Sequence, residues 1–342
     1  MDILIGLLII AVGAFCQSSS YVPINKIKEW SWESYWIVQG VFAWLILPFL
    51  GAMLAVPAGH SLFELTQGHG FNILMTMFFG VLWGVGGLTF GLSMRYLGVA
   101  LGQSIALGTC AGLGTIMGPV LLNIFFPEMD ALSKLTFAVI LGVVVTLVGI
   151  AIIGVAGSMK SATLSEEEKK AAVKDFNFPK GLVIALLAGF MSGCFNVGLA
   201  FGEGLYFEGT DPMFKGLPAT LLVTLGGFIT NAIYCFYQNS KNHTWGDYKK
   251  GHVWGNNILF CALAGALWYS QFFGLSLGQG FLTQSPTLIT LSFCILMALN
   301  VVFSNVWGII LKEWKGCSRK TIATLIVGII VLIASSFLPQ LI

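Results

Sequence analysis

Apolar runs of about twenty residues recur along the chain between short polar stretches, and about twenty apolar residues let an α-helix cross the hydrocarbon core of a bilayer. Reading for that length predicts ten spanning helices, at 2–22, 34–56, 71–93, 99–123, 135–157, 180–202, 216–238, 254–275, 286–310 and 321–339. The longest polar stretch, Ser158 to Lys180, lies between the fifth and sixth spans. Within it Ser165-Glu166-Glu167-Glu168 has the pattern of a capping box that opens a short helix. The expected organisation is a first five-helix repeat over 1–160, a cytosolic linker over 161–179 and a second five-helix repeat over 180–342.

Composition sharpens the class. Of 342 residues, 56% are hydrophobic and only 9% charged, against about 25% charged in soluble domains; the pattern is that of an all-α integral membrane protein. Met1-Asp2-Ile3 lacks a basic leader and Gly13-Ala14-Phe15-Cys16 is a poor cleavage site, so the first span is expected to be retained. Basic residues set the orientation, because loops rich in Lys and Arg stay in the cytoplasm. The odd-numbered loops hold 15 of the 17 Lys and Arg residues and the even-numbered loops only Lys134 and Lys215, which predicts both termini outside. The segment Gln17 to Glu33 then runs from a buried polar patch to an inner rim marked by Pro23, Lys26, Lys28, Trp30 and Trp32.

The two halves resemble each other. Gly6-Leu7-Leu8-Ile9-Ile10-Ala11-Val12-Gly13-Ala14-Phe15 matches the run from Gly181 to Phe190 at an offset of 175, and Phe90-Gly91-Leu92-Ser93 matches Phe273-Gly274-Leu275-Ser276 at an offset of 183. Five is odd, so the second half enters the membrane from the opposite face. That predicts an inverted repeat with a site near the midplane, as in many secondary transporters.

Polar residues inside spans are the candidates for that site. Gln17, Ser20 and Tyr21 share a helical face, and the offset of 175 carries Gln17 onto Ser192 and Tyr21 onto Asn196. Trp83 and Trp268 could stack on the apolar face of a sugar while Gln271 bonds its hydroxyls, and Asn231, Asn300 and Ser304 add further polar groups. Helix-to-helix hydrogen bonding and bulky core packing are the structural readings of the same residues, and the sequence leaves both open. The glycine pairs 80/84, 87/91, 108/112, 114/118 and 189/193 read as close helix contacts. No Asp or Glu lies in the middle of a span, which argues against a pump for cationic drugs and for a neutral, hydroxyl-rich substrate. Glu33 and Glu203 are the acids nearest the membrane, and Ser31 is placed to cap the second helix ahead of Glu33. Metal-ligand spacing and a nucleophile–base constellation are both missing, so neither an enzyme nor a cofactor is expected, and a net charge of +2 gives no reason to expect a nucleic-acid partner.

Lys26-Ile27-Lys28-Glu29-Trp30-Ser31-Trp32-Glu33, the Trp83 to Gly98 run and Leu311-Lys312-Glu313-Trp314 resemble the bacterial L-rhamnose-proton symporter family, and the similarity extends over essentially the whole chain. The resemblance implies the drug/metabolite transporter superfamily with its five-plus-five inverted repeat. It also implies a place in the bacterial cytoplasmic (inner) membrane and uptake of L-rhamnose, or a close deoxyhexose, with a proton. It brings no binding residues with it. Proton coupling asks for a group that changes protonation, and Glu33 and Glu203, with the loop histidines His60, His69, His243 and His252, are the ordinary candidates. A drug or metabolite exporter of the same fold and a sodium-coupled sugar carrier are the competing readings.

Overall fold

The computed structural model describes residues 2–97, 99–162, 178–310 and 314–338. Among them, ten helices are long and apolar enough to cross a membrane, and regular structure is helical throughout. They are α1 (Asp2–Ser19), α2 (Trp32–Met53), α3 (Gly70–Leu97), α4 (Val99–Phe125), α5 (Phe137–Ala162), α6 (Phe178–Phe201), α7 (Leu217–Lys241), α8 (Gly251–Phe281), α9 (Pro286–Ile310) and α10 (Arg319–Phe337). The predicted spans fall on these helices one for one. The expected linker helix at Ser165 to Glu168 and the Leu311 to Glu313 part of the family segment lie outside the described residues.

The chain forms two compact units, and neither is one of the sequence halves. The first takes residues Met1–Gly84 and Gly198–Thr283, and the second Val85–Val197 and Gln284–Ile342. Two of the three boundaries fall inside α3 and α6, and the third in the loop between α8 and α9.

In the first unit α1 lies along α8. Glycines bring the two backbones together: a methyl group on Gly6 would sit 2.8 Å from the Gly278 carbonyl, and one on Gly278 2.7 Å from the Gly6 carbonyl. Gly13 is closed the same way by the Ser270 carbonyl at 2.8 Å. Between lipid-solvated helices the hydrophobic effect supplies little attraction, so such close van der Waals contact does most of the holding. Gly80 and Gly84 meet Val223 and Gly227 of α7. In the second unit α5 packs on α10 and α4, and Gly189 and Gly193 of α6 close on Ala106, Thr109 and Gly114 of α4. Those pairs act as close contacts, as expected. Gly108 and Gly112 meet Leu147 at ordinary distance, and nothing stands within 4 Å of a methyl on Gly87. The α1–α8 glycines escaped the four-residue pattern because Gly6 and Gly13 are two turns apart.

Helix α2 is irregular. Val41–Ile46 is π-helical and carries the Leu47 N–H to the Phe42 carbonyl, five residues back. Pro48 follows at once. A proline cannot donate the next helical bond and its ring clashes with the preceding turn, so one widened turn admits it without ending the span. Single π turns of this kind recur at functional sites.

Candidate functional site

The widened turn of α2 presents Trp44 to a cluster of indoles in the first unit. Trp44 is 3% exposed; its ring lies edge-on to Trp36 at 5.8 Å, to Trp83 at 6.0 Å and to Trp268 at 5.9 Å. Trp83 and Trp268 are 5.6 Å apart with planes inclined at 34°. Gly227 of α7 lies directly against the Trp83 ring, so a side chain there would displace it. Edge-to-face geometry sets the positive rim of one ring against the negative face of the next.

Amides border the indoles. The Trp36 indole donates to Asn231 Oδ1 at 3.0 Å, and Asn231 donates through Nδ2 to the Gly227 carbonyl at 2.8 Å. Gln271 is buried and its Nε2 donates to the Trp268 carbonyl at 3.2 Å. The first unit thus brings together Trp83, Trp268, Asn231 and Gln271 from the sequence candidates. It adds Trp36 and Trp44, which the sequence reading passed over; the signal was Pro48 inside an apolar run.

The α1 candidates do not form one continuous face. The helix pauses after Ser19 and restarts as the short turn Tyr21–Ile24. Ser20 is buried and donates to Gln17 Oε1 at 3.3 Å, whereas Tyr21 is 58% exposed. In the second unit Asn196 donates to the Gly114 carbonyl at 2.8 Å, linking α6 to α4. Ser192 is half-buried one turn earlier, with a methyl on Gly86 of α3 meeting its backbone N at 2.5 Å. Asn300 is buried on α9, and Ser304 is half-buried one turn on.

A second polar cluster, also within the first unit, stands where the chain enters α2. Glu33 is 5% exposed and accepts from Asn242 Nδ2 at 3.0 Å and Thr244 Oγ1 at 2.8 Å. Asp247, buried in the α7–α8 loop, accepts from Ser31 N and Oγ, both at 2.7 Å, from Ser34 Oγ at 2.9 Å and from Lys250 Nζ at 2.7 Å. Burial works to raise its pKa; the bonds from Lys250, Ser31 and Ser34 outweigh that and hold it at about 2. Asn257 clamps the loop before α2 through both backbone groups of Lys28, at 3.0 and 2.8 Å. Ser31 stands at the cap position of α2, but its side chain makes no cap bond and donates to Asp247 instead. Trp30, expected to mark the rim, does not turn its ring outward: it is 8% exposed and packs edge-on to Tyr248 and Trp254. Glu203, the other acid candidate, is exposed beyond the end of α6.

Residues 1–341 match the family described as L-rhamnose-proton symport protein (RhaT). The chain belongs to that family. A relative from Yersinia pestis (strain Pestoides F), named L-rhamnose-proton symporter, is 33% identical over 351 residues, covering 98% of this chain and 96% of the relative. One of the same name from Escherichia coli (strain 55989 / EAEC) is 32% identical over 339 residues, covering 95% and 94%. Members of this family are transporters rather than enzymes, which agrees with a site made of indoles, amides and hydroxyls. Among the described residues no group of three or more His, Cys, Asp or Glu could hold a metal ion.

Proposed function

We propose that this protein takes up L-rhamnose, or a close deoxyhexose, together with a proton across the bacterial cytoplasmic membrane. The observation that carries the reading is the full-length family match, with relatives that bear that name along nearly their whole length. The indole cluster supports it: a pyranose offers an apolar C–H face for aromatic contact and hydroxyls that need partners, and Asn231 and Gln271 border the rings.

The reading includes alternating access between inverted five-helix repeats, 1–160 and 180–342, in the manner of the drug/metabolite transporter superfamily. Support comes from contacts that recur when each helix is exchanged for the one five places away. The α1–α8 contact at Gly6 and Gly278 has its counterpart in Gly181 of α6, which meets Tyr96 and Leu97 of α3. The α4–α5 contact is likewise answered by α9–α10. The offsets of 175 and 183 carry Gly6 onto Gly181 and Gly278 onto the residue before Tyr96. Both termini are placed outside, on the basic-residue distribution.

For the coupling proton, Glu33 is the first residue to test and Glu203 the second. Protonating Glu33 would add an O–H donor that needs a partner of its own and weaken the carboxyl group as the acceptor for two loop donors, Asn242 and Thr244. Rhamnose added to lightly buffered, de-energised cells is expected to make the medium more alkaline, and an uncoupler to abolish accumulation. Accumulation driven by a sodium gradient alone would rule out the proton and keep the carrier. Extrusion of a cationic dye without saturable rhamnose movement would favour an exporter.

A further inference from the structure

Five side-chain polar atoms of the first unit are buried with no hydrogen-bond partner among the described residues: Trp30 Nε1, Thr76 Oγ1 and, on α2 and α8, Trp44 Nε1, Gln39 Oε1 and Tyr269 Oη. The residues of the last three are 3%, 2% and 6% exposed. These three stand along the seam between α2 and α8. The backbones of Gln39 and Ala43 lie against Gly265, the Trp44 ring meets Trp268, and the Tyr269 hydroxyl lies directly against Gly51. An unmade hydrogen bond in such a place costs about 1–3 kcal/mol. Removing it would take one atom at Tyr269, since phenylalanine fits the same space. Unmet groups that survive along one seam, next to an aromatic cluster and a π turn, mark positions whose partner arrives from outside the fold.

We infer that Trp44, Gln39 and Tyr269 are specificity-determining residues that hydrogen-bond the hydroxyls of a neutral pyranose as it passes along the α2–α8 seam. Trp44 and Tyr269 supply donors, Gln39 an acceptor, and a polyhydroxylated ring can answer all three because each of its hydroxyls both donates and accepts. The half-buried rings of Trp83 and Trp268 cover Trp44, and the sugar reaches its N–H where those rings yield. The π turn sets the level: with regular α geometry before Pro48, Trp44 would be turned away from Trp268. Charged solutes gain nothing here, since the three groups offer no counter-charge. The inference deepens the proposed function and rests on it for the sugar.

The test uses the full chain reconstituted in vesicles, with Tyr269→Phe, Trp44→Phe and Gln39→Met read for proton-linked uptake of L-rhamnose, for sugar affinity and for thermal stability in detergent. Each variant is expected to weaken sugar affinity roughly tenfold or more, because a bound hydroxyl loses its partner, while the melting temperature stays level or rises. That split is the signature of groups kept for a ligand; a purely structural group would move stability and leave affinity alone. Affinity within twofold of the parent in all three variants, with the parent carrying rhamnose normally, overturns the inference and leaves the proposed function standing. Should the parent carry no rhamnose, the proposed function falls, and a panel of other neutral sugars is titrated on the same proteins. An affinity loss with any sugar that the parent binds sustains the hydroxyl-reading role, and no sugar bound by the parent overturns it.

Discussion

Asp247 sits in a loop, yet it accepts four hydrogen bonds from Ser31, Ser34 and Lys250 and joins the α7–α8 loop to the start of α2. Its pKa is held at about 2, below the ordinary 3.8. The carboxylate therefore stabilises the fold fully above pH 3.8, and that contribution drains away as pH falls through about 2. The difference corresponds to about 2 kcal/mol. Asp247→Ala should lower the melting temperature of the detergent-solubilised protein at pH 7, by an amount constant from pH 5 to 8, and the gap to the parent should narrow below pH 4. A gap that does not change with pH down to 3 would mean that the loss is one of packing. Sequence reasoning missed Asp247 because it weighed acids by their place in the spans, and a loop acid looks solvated until the loop's partner is known. Glu33 was legible, since an acid in the first turn of a helix has a local reason to be there. Gln17, Ser192 and Asn300 were findable as polar residues in apolar runs, but which helix each one faces is decided by residues far away in sequence.

At the scale of the element, span positions could be read because length and hydropathy alone define a crossing helix, whereas the π turn of α2 could not be read from periodicity. One widened turn shifts the face by a single residue, and only Pro48 hints at it. Pro48→Ala removes the clash that the widened turn admits, so the span should return to α geometry at unchanged length and rotate everything on one side of the turn by about 100°. The variant should reach the membrane in normal amount, because the span stays as long and as apolar. Rhamnose uptake should fall at least tenfold, as Trp44 leaves Trp268. Uptake within twofold of the parent would show that the turn merely accommodates proline.

For the molecule as a whole, orientation can be tested on described, exposed loop positions. In a cysteine-free background, Gln67→Cys, between α2 and α3, should react with an impermeant thiol reagent in intact cells, and Lys249→Cys, before α8, only after lysis. The reverse pattern would turn the whole assignment over. The two-part division expected from the sequence and the two compact units are different partitions of the same chain. Repeats are a property of chain order, while compactness records which helices touch, and α1 touches α8 across more than 200 residues.

That crossing of boundaries bears on how the protein is made. The first unit draws α1 and α2 from the first half of the chain and α7 and α8 from the second, so at synthesis rates of about 5–20 residues per second the first two helices stand in the bilayer for on the order of ten seconds or more before their partners emerge. During that interval the glycines of α1 face lipid or a provisional neighbour, and Glu33 has neither Asn242 nor Thr244. Neither half, expressed alone, can complete a unit. Separate polypeptides ending and starting in the long polar stretch should each be degraded when made singly, and should accumulate and carry sugar when made together. Such a chain assembles by late reunion of helices from its two halves, and a membrane insertase that shelters early helices would protect it most between the second span and the eighth.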